Sequence, residues 1–199
     1  MVNILPLREK QSISAVTPLP EHETTWKDLH VMFATAYGYV RRNMLSDFTS
    51  IMASGKTAMK FEAEDSLISV LPCTENDDIL LSTRYGKCIR FPVTDVRVFS
   101  GRTSIGVRGI KLTEGDTVIA MSVLSHDDSS PEHRSAYLRL RRGSESDGTE
   151  DEDGAAALPG DRTVLLSEDY DHDRMMTNEE FILTVTEQGF GKRTSAYEY

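Results

Sequence analysis

One unit recurs three times in this chain: a strand-like apolar run, a turn built on glycine, and an exit through basic residues. The copies are VMFATAYGYVRRNMLSDF at 31–48, ILLSTRYGKCIRFPVTDV at 79–96 and FILTVTEQGFGKRTSAYEY at 181–199. Their turn glycines are Gly38, Gly86 and Gly189, and an arginine stands four residues after each: Arg42, Arg90 and Arg193. Alternating β-branched, large apolar and polar residues predict strands. A Tyr-Gly or Gln-Gly pair between two such runs predicts a tight hairpin whose glycine takes a positive φ.

A second element precedes each hairpin: ILPLREKQSISAV at 4–16, MKFEAEDSLISV at 59–70 and IKLTEGDTVIAM at 110–121. Aligned on Gln11, Asp65 and Asp116, the apolar positions Ile13, Leu67 and Val118 coincide, as do Val16, Val70 and Met121. Gly55 and Gly106 occupy matching positions before the second and third copies. Without insertions the period is 48 to 51 residues, as Gly38 to Gly86 and Asp65 to Asp116 show. Self-similarity at that period predicts an all-β repeat architecture, in which each unit is a small antiparallel sheet of a propeller-like disc.

The third copy is interrupted. Asp65 lies 21 residues before Gly86, but Asp116 lies 73 before Gly189. The long insertion also accounts for the charge of the chain. The net charge is −10, and residues 125–180 hold 16 acidic and 6 basic side chains, so the remainder is balanced at 16 of each. Pro131, after a serine-rich stretch, predicts a short helix over 131–142. The following GSESDGTEDEDGAAALPGD is too polar to offset its ordering entropy and is expected to be a disordered acidic loop. The predicted domains are therefore blades over 1–124, an acidic insertion over 125–180 and a closing hairpin over 181–199.

Catalytic and metal chemistry find little support. His22, His30, His126, His133 and His172 are scattered, without metal-ligand spacing to one another or to Cys73 and Cys88. The two cysteines lack a CxxC arrangement and are expected to be reduced. GRTSIGVRG at 101–109 has the glycine spacing of a phosphate loop, but Val107 and Arg108 stand where lysine and a hydroxyl residue belong. Asp169, Asp171, Asp173 and Glu180 match positions of a calcium loop, with Thr177 at the ninth, yet Arg174 replaces the glycine of its sharp turn. No run of about 18 apolar residues predicts a membrane span, and the N-terminus lacks the pattern of a signal peptide. A cytoplasmic location is expected, with no metal and no small-molecule substrate.

The basic residues point to a polyanion instead. Outside the insertion the candidates are Arg41, Arg42, Lys56, Lys87, Arg90, Arg102, Arg108, Lys192 and Arg193. Arg42, Arg90 and Arg193 share one place in the repeat, which predicts a rim of arginines contacting phosphates without reading bases. Strand alternation puts Arg41 and Arg42 on opposite faces. Aromatics beside the turns, Tyr37, Tyr39, Tyr85 and Phe190, are expected to pack rather than to stack on bases.

VNILPL, FATAYGYVRR, DDILLSTRYGKCIRFPVTDVR, GRTSIGVRGIKLTEGD and FILTVTEQGFGKRTSAYEY resemble successive stretches of the C-terminal domain of bacterial DNA gyrase A. The resemblance covers about residues 1–124 and 177–199, nearly everything outside the insertion. It implies a β-pinwheel, a disc of propeller-like blades that share strands, whose basic edge wraps DNA and supports ATP-dependent negative supercoiling. By position, Arg41, Arg42, Arg90, Arg102, Arg108, Lys192 and Arg193 are then the DNA contacts. The implied partners are double-stranded DNA, the remainder of gyrase A, and gyrase B. ATP and Mg2+ serve other parts of that assembly. The family's Gln-Arg-Arg-Gly-Gly-Lys-Gly box is absent here, as is the tyrosine that attacks DNA, so the chain is expected to be non-catalytic and to hold about three repeats. Topoisomerase IV carries a related domain without the box and is the nearest alternative. A protein-docking propeller that uses the acidic insertion is the other.

Overall fold

The structure is a computed structural model that describes residues 13–49, 55–145 and 170–199. Two compact units divide the chain, one ending at Leu124 and the other beginning at Ser125. The stretch expected to be a disordered acidic loop lies almost wholly outside the described residues.

Among the described residues the first unit holds seven strands: β1 (His30–Thr35), β2 (Tyr39–Met44), β3 (Leu67–Cys73), β4 (Asp77–Thr83), β5 (Cys88–Pro92), β6 (Val107–Arg108) and β7 (Val118–Ser125). They form two sheets, in the orders β3-β1-β2-β6 and β5-β4-β7. β1 is buried along its whole length because both of its faces are covered. Met32 and Ala34 join Ile79, Leu81, Val93, Val96 and Met121 in one core cluster, while Val31 and Phe33 join Leu45 and Met59 in another. The uninterrupted apolar run of the first copy is therefore a strand buried on both sides.

The repeat is closest at the turns. Gly38, Gly86 and Gly189 have φ of 83°, 84° and 85°. Each glycine N–H donates to a threonine carbonyl three residues back, Thr35, Thr83 or Thr186, at 3.0, 3.1 and 2.9 Å. Each of those threonine hydroxyls accepts from the N–H one residue past the glycine, at 3.2, 3.0 and 3.1 Å. The threonine is thus the second fixed element of the turn, stopping the strand and closing the loop with one side chain.

The leading element does not pair with the hairpin it precedes. β3 pairs with β1, and β7 with β4, so these two leading strands complete the sheet of the preceding hairpin, and the first leading element, 4–16, lies largely outside the described residues. The aligned aspartates fasten this exchange. Asp65 Oδ1 accepts from the N–H groups of Tyr37 and Ser66 at 2.9 and 2.8 Å. Asp116 Oδ1 accepts from Tyr85 and Thr117 at 3.1 and 2.9 Å. Burial pushes the Asp116 carboxyl up, but hydrogen bonds from Thr83, Tyr85 and Thr117 hold it below its usual value. Between β3 and β4 the chain turns a corner at Thr74, whose N–H and hydroxyl both donate to Asp77. β3 and β4, adjacent in sequence, therefore belong to different sheets.

The second unit holds α1 (Pro131–Glu145), α2 (His172–Asn178), β8 (Phe181–Val185) and β9 (Gly191–Ser195). Ser130 caps α1, its hydroxyl accepting from His133 N–H at 3.2 Å, and Pro131 supplies a first helical position that needs no donor. Asp171 caps α2 by accepting from Arg174 N–H at 2.9 Å. Asp171, Asp173 and Thr177 of the calcium-loop spacing are thus the cap and body of a short helix, while Asp169 lies outside the described residues. Tyr137, Met175 and Tyr197 are the buried core of this unit, and Tyr197 Oη donates to the Met175 carbonyl at 3.1 Å. Among the described residues no helix is long and apolar enough to cross a membrane.

Candidate nucleic-acid interface

The three repeat arginines occupy one register. Arg42 lies across from Met32, Arg90 from Leu80 and Arg193 from Leu183, so all three sit at the same rung of their hairpins. Each guanidinium also meets the residue twelve positions before it. For Arg42 that is His30, with Nη2 3.2 Å from Nε2. Arg90 Nε donates to Asp78 Oδ2 at 2.7 Å, and Arg193 lies over the Phe181 ring at 3.6 Å. A diagonal cross-strand contact is thus part of the repeat.

Their surroundings differ, and three expected contacts, Arg41, Arg42 and Arg90, are corrected. Arg41 and Arg42 are 0% and 3% exposed, so neither guanidinium lies on the outer surface. The two point to opposite faces, as alternation requires, and both faces are covered. Arg41 Nε donates to Asn43 Oδ1 at 2.8 Å, its Nη1 to the Ser104 hydroxyl at 3.0 Å, and its guanidinium lies 5.0 Å from the Phe99 ring. Burial, and then the charge of Arg97, lower its pKa. Arg42 Nη1 donates to the carbonyls of Val93 and Val96 at 3.0 and 3.5 Å, and Nη2 to Glu75. The cause is the 93–108 connection, which runs along the outer edge of β2. Phe99 N–H donates to the Arg42 carbonyl at 2.8 Å, and β6 pairs with Tyr39 and Val40. Arg90 is held against Asp78, with side chains 9% and 6% exposed. Arg102 is half-buried.

The remaining candidates are exposed: Lys56, Lys87, Arg108, Lys192 and Arg193. Lys56 Nζ donates to the carbonyl of Asp47 at 2.7 Å, beside the first hairpin. Lys87 and Arg108 are brought together at the turn ends of the first two hairpins. The Gly38 carbonyl accepts from Gly109 and Ile110 at 2.8 and 3.3 Å, which holds the 108–111 segment against the first turn. Lys87 Nζ donates to the Lys111 carbonyl at 2.6 Å and so fastens the same segment to the second hairpin. Arg108 Nη2 donates to Tyr39 Oη at 3.3 Å, and Tyr39 Oη donates to Glu62 at 2.8 Å. Lys111, whose carbonyl holds the Lys87 ammonium, puts a third exposed cation on the same segment and was not among the expected contacts. The signal for it is local: it stands three residues after Arg108 in GVRGIKL. In the second unit, Lys192 and Arg193 are exposed on β9, while two arginines of α1 pair with carboxylates of that unit, Arg141 with Glu179 and Arg142 with Glu198.

The family model for the DNA gyrase C-terminal domain, beta-propeller, matches residues 29–74, 77–125 and 180–199. DNA gyrase A of Granulibacter bethesdensis is 48% identical across the whole chain, and that of Rickettsia bellii is 46% identical. The chain spans 22% of the length of each of these relatives. Two solved structures share the fold. The C-terminal domain of DNA topoisomerase IV superposes with a TM-score of 0.55 at 23% identity, over 63% of this chain and 38% of that one. The DNA gyrase A C-terminal domain superposes with a TM-score of 0.52 at 23% identity, over 61% of this chain and 39% of that one.

Proposed function

The chain belongs to the family of DNA gyrase C-terminal domains, and from that premise we propose that it binds and bends double-stranded DNA as a wrapping module of gyrase A. The observation that carries this reading is the cluster of Lys87, Arg108 and Lys111. It is exposed, drawn from two successive repeats, and held by backbone hydrogen bonds to the first turn. Cations fixed on consecutive blades neutralise successive phosphates, and the spacing of the blades dictates the path of the duplex. The second unit carries its own exposed cations, Lys192 and Arg193, and Lys56 adds a cation beside the first hairpin. Arg41, Arg42 and Arg90 leave the set of expected contacts, the first two because they are buried inside the fold and Arg90 because it is ion-paired with Asp78. The remainder of gyrase A, together with gyrase B, completes the proposed assembly. ATP-driven strand passage, with ATP and Mg2+, belongs to those other parts, and the proposed location is the bacterial cytoplasm.

The test is a DNA titration at several salt concentrations with the parent and with the triple variant Lys87→Ala, Arg108→Ala, Lys111→Ala. Each lost phosphate contact lowers the slope of log K against log salt by about 1, so the variant loses roughly 3 from the parent slope and binds more weakly throughout. An unchanged slope overturns the assignment of this surface.

A further inference from the structure

Arg42 stands at the repeat position expected to face phosphate, yet it is buried at a joint between two sheets. Its strand, β2, belongs to the first sheet. The carbonyls it grips, Val93 and Val96, lie in and just after the 3-10 turn Val93–Asp95 that follows β5 of the second sheet. Its carboxylate partner, Glu75, sits on the corner through which the chain passes from β3 in the first sheet to β4 in the second. His30, on the central strand β1, supplies the fourth contact. One guanidinium thus touches the first sheet, the second sheet and the corner between them. Arginine suits this because its planar fork fixes several acceptors at set angles, which the single ammonium of lysine does not.

We propose that Arg42, oriented by His30 and Glu75, is a positioning residue that sets the angle between the first two blades and thereby the curvature imposed on bound DNA. The inference rests on the DNA-wrapping reading above. A buried, multiply bonded cation is a poor source of stability compared with apolar packing, and the role inferred for it here is to select one arrangement over its neighbours. The core beneath it, where Met32, Val93 and Val96 meet through apolar side chains, carries no directional bonds of its own. Arg42 Nη1 adds direction, because it ties the carbonyls of Val93 and Val96 to a strand of the other sheet. DNA that follows cations on successive blades then meets a bending cost decided by that angle.

The experiment uses the full-length protein and four forms: parent, Arg42→Lys, Glu75→Gln and Lys111→Ala. Glu75 is largely exposed, so Glu75→Gln keeps the test open if Arg42→Lys does not fold. Three readouts are taken on each: affinity for a duplex labelled at both ends, energy transfer between the ends at saturating protein, and the thermal midpoint. The expected result is that Arg42→Lys and Glu75→Gln bind within about threefold of the parent while their end-to-end transfer at saturation differs from it. Lys111→Ala gives the converse, weaker binding with the parent transfer once saturated. If both joint variants reach the parent transfer at saturation, and only affinity and thermal midpoint fall, Arg42 is a structural residue alone and the inference is wrong. If the parent itself leaves the duplex straight, it is the wrapping function that fails, and the inference with it.

Discussion

In the β1–β2 hairpin Arg42 is sealed beneath the 93–108 connection, and its cross-strand neighbour Met32 is fully buried. In the β8–β9 hairpin Arg193 lies in solvent over Phe181, and its cross-strand neighbour Leu183 is 71% exposed. Turn geometry, threonine clamp and register are shared by the two. The first hairpin has a strand or connection along both long edges, whereas the second is a two-stranded sheet among the described residues. The local repeat therefore prescribes where an arginine stands on a hairpin. Residues more than fifty positions away prescribe whether that arginine is buried or faces solvent.

The glycine turns provide the largest test of this contrast. A Cβ on Gly38 meets Ile110 Cγ2 at 2.8 Å and its carbonyl oxygen at 2.9 Å, whereas a Cβ on Gly189 meets nothing within 4 Å. Both positions carry the same positive φ. Alanine at either one costs about 1–2 kcal/mol of backbone strain, and overpacking adds roughly 1–3 kcal/mol at Gly38 alone. Chemical denaturation should show Gly38→Ala destabilised by about 3 kcal/mol or more and Gly189→Ala by about 1. Equal losses would mean that the Gly109–Ile110 segment yields, and that the covered edge is softer than its hydrogen bonds imply.

The arginines come next. Arg42→Ala removes the donors to two buried carbonyls and leaves an arginine-shaped void, at a cost of about 2–4 kcal/mol. Arg193→Ala loses an exposed contact with an aromatic ring, about 0.5–1 kcal/mol. The same denaturation midpoints decide it, and an Arg42→Ala cost as small as that of Arg193→Ala would break the comparison. For the threonine clamp the difference narrows. Thr35 is buried and Thr186 exposed, so Thr35→Val should cost about 1–2 kcal/mol and Thr186→Val about half of that, by the same measurement.

These contrasts mark how far the sequence was legible. Turn positions, strand identities and the period follow from glycine, β-branched residues and alternation, all of which act over a few residues. The alignment on Asp65 and Asp116 also singled out the two side chains that fasten one repeat to the next. Strand exchange was not readable from pattern alone, because β3 has the same alternation whether it pairs with β1 or β4. The covering of β2 was equally hidden. The 93–108 segment has almost no strand character, since β6 is only Val107–Arg108, and it is held by single hydrogen bonds that leave no periodic signal. Arg41 and Arg42 therefore read as surface cations, and Lys111 is marked in the sequence only by its place three residues after Arg108, since its relation to Lys87 exists only after folding.

The smallest expected difference is in pH dependence. The position twelve residues before the repeat arginine is His30 in the first hairpin and Phe181 in the third. Arginine can only donate, so His30 Nε2 must accept from Arg42, and the neutral ring carries its proton on Nδ1. Burial, and then the Arg42 charge, hold the His30 pKa below its ordinary value against the opposing pull of Glu75. The unfolded chain therefore binds a proton at this site before the folded one does. Its contribution to stability is complete above about pH 6.5 and is lost as the pH falls below that value. Carboxylates such as Asp116, also held below their usual value, lose their contribution only below about pH 4 and leave the intervening window to histidine. Between about pH 6.5 and 5, the stability of the parent should fall more steeply than that of His30→Gln, whose amide keeps an acceptor for Arg42 without titrating. Parallel curves for the two would show that the ring takes up its proton without disturbing Arg42, and that the buried arginine of the first hairpin is no more sensitive to pH than the exposed one of the third.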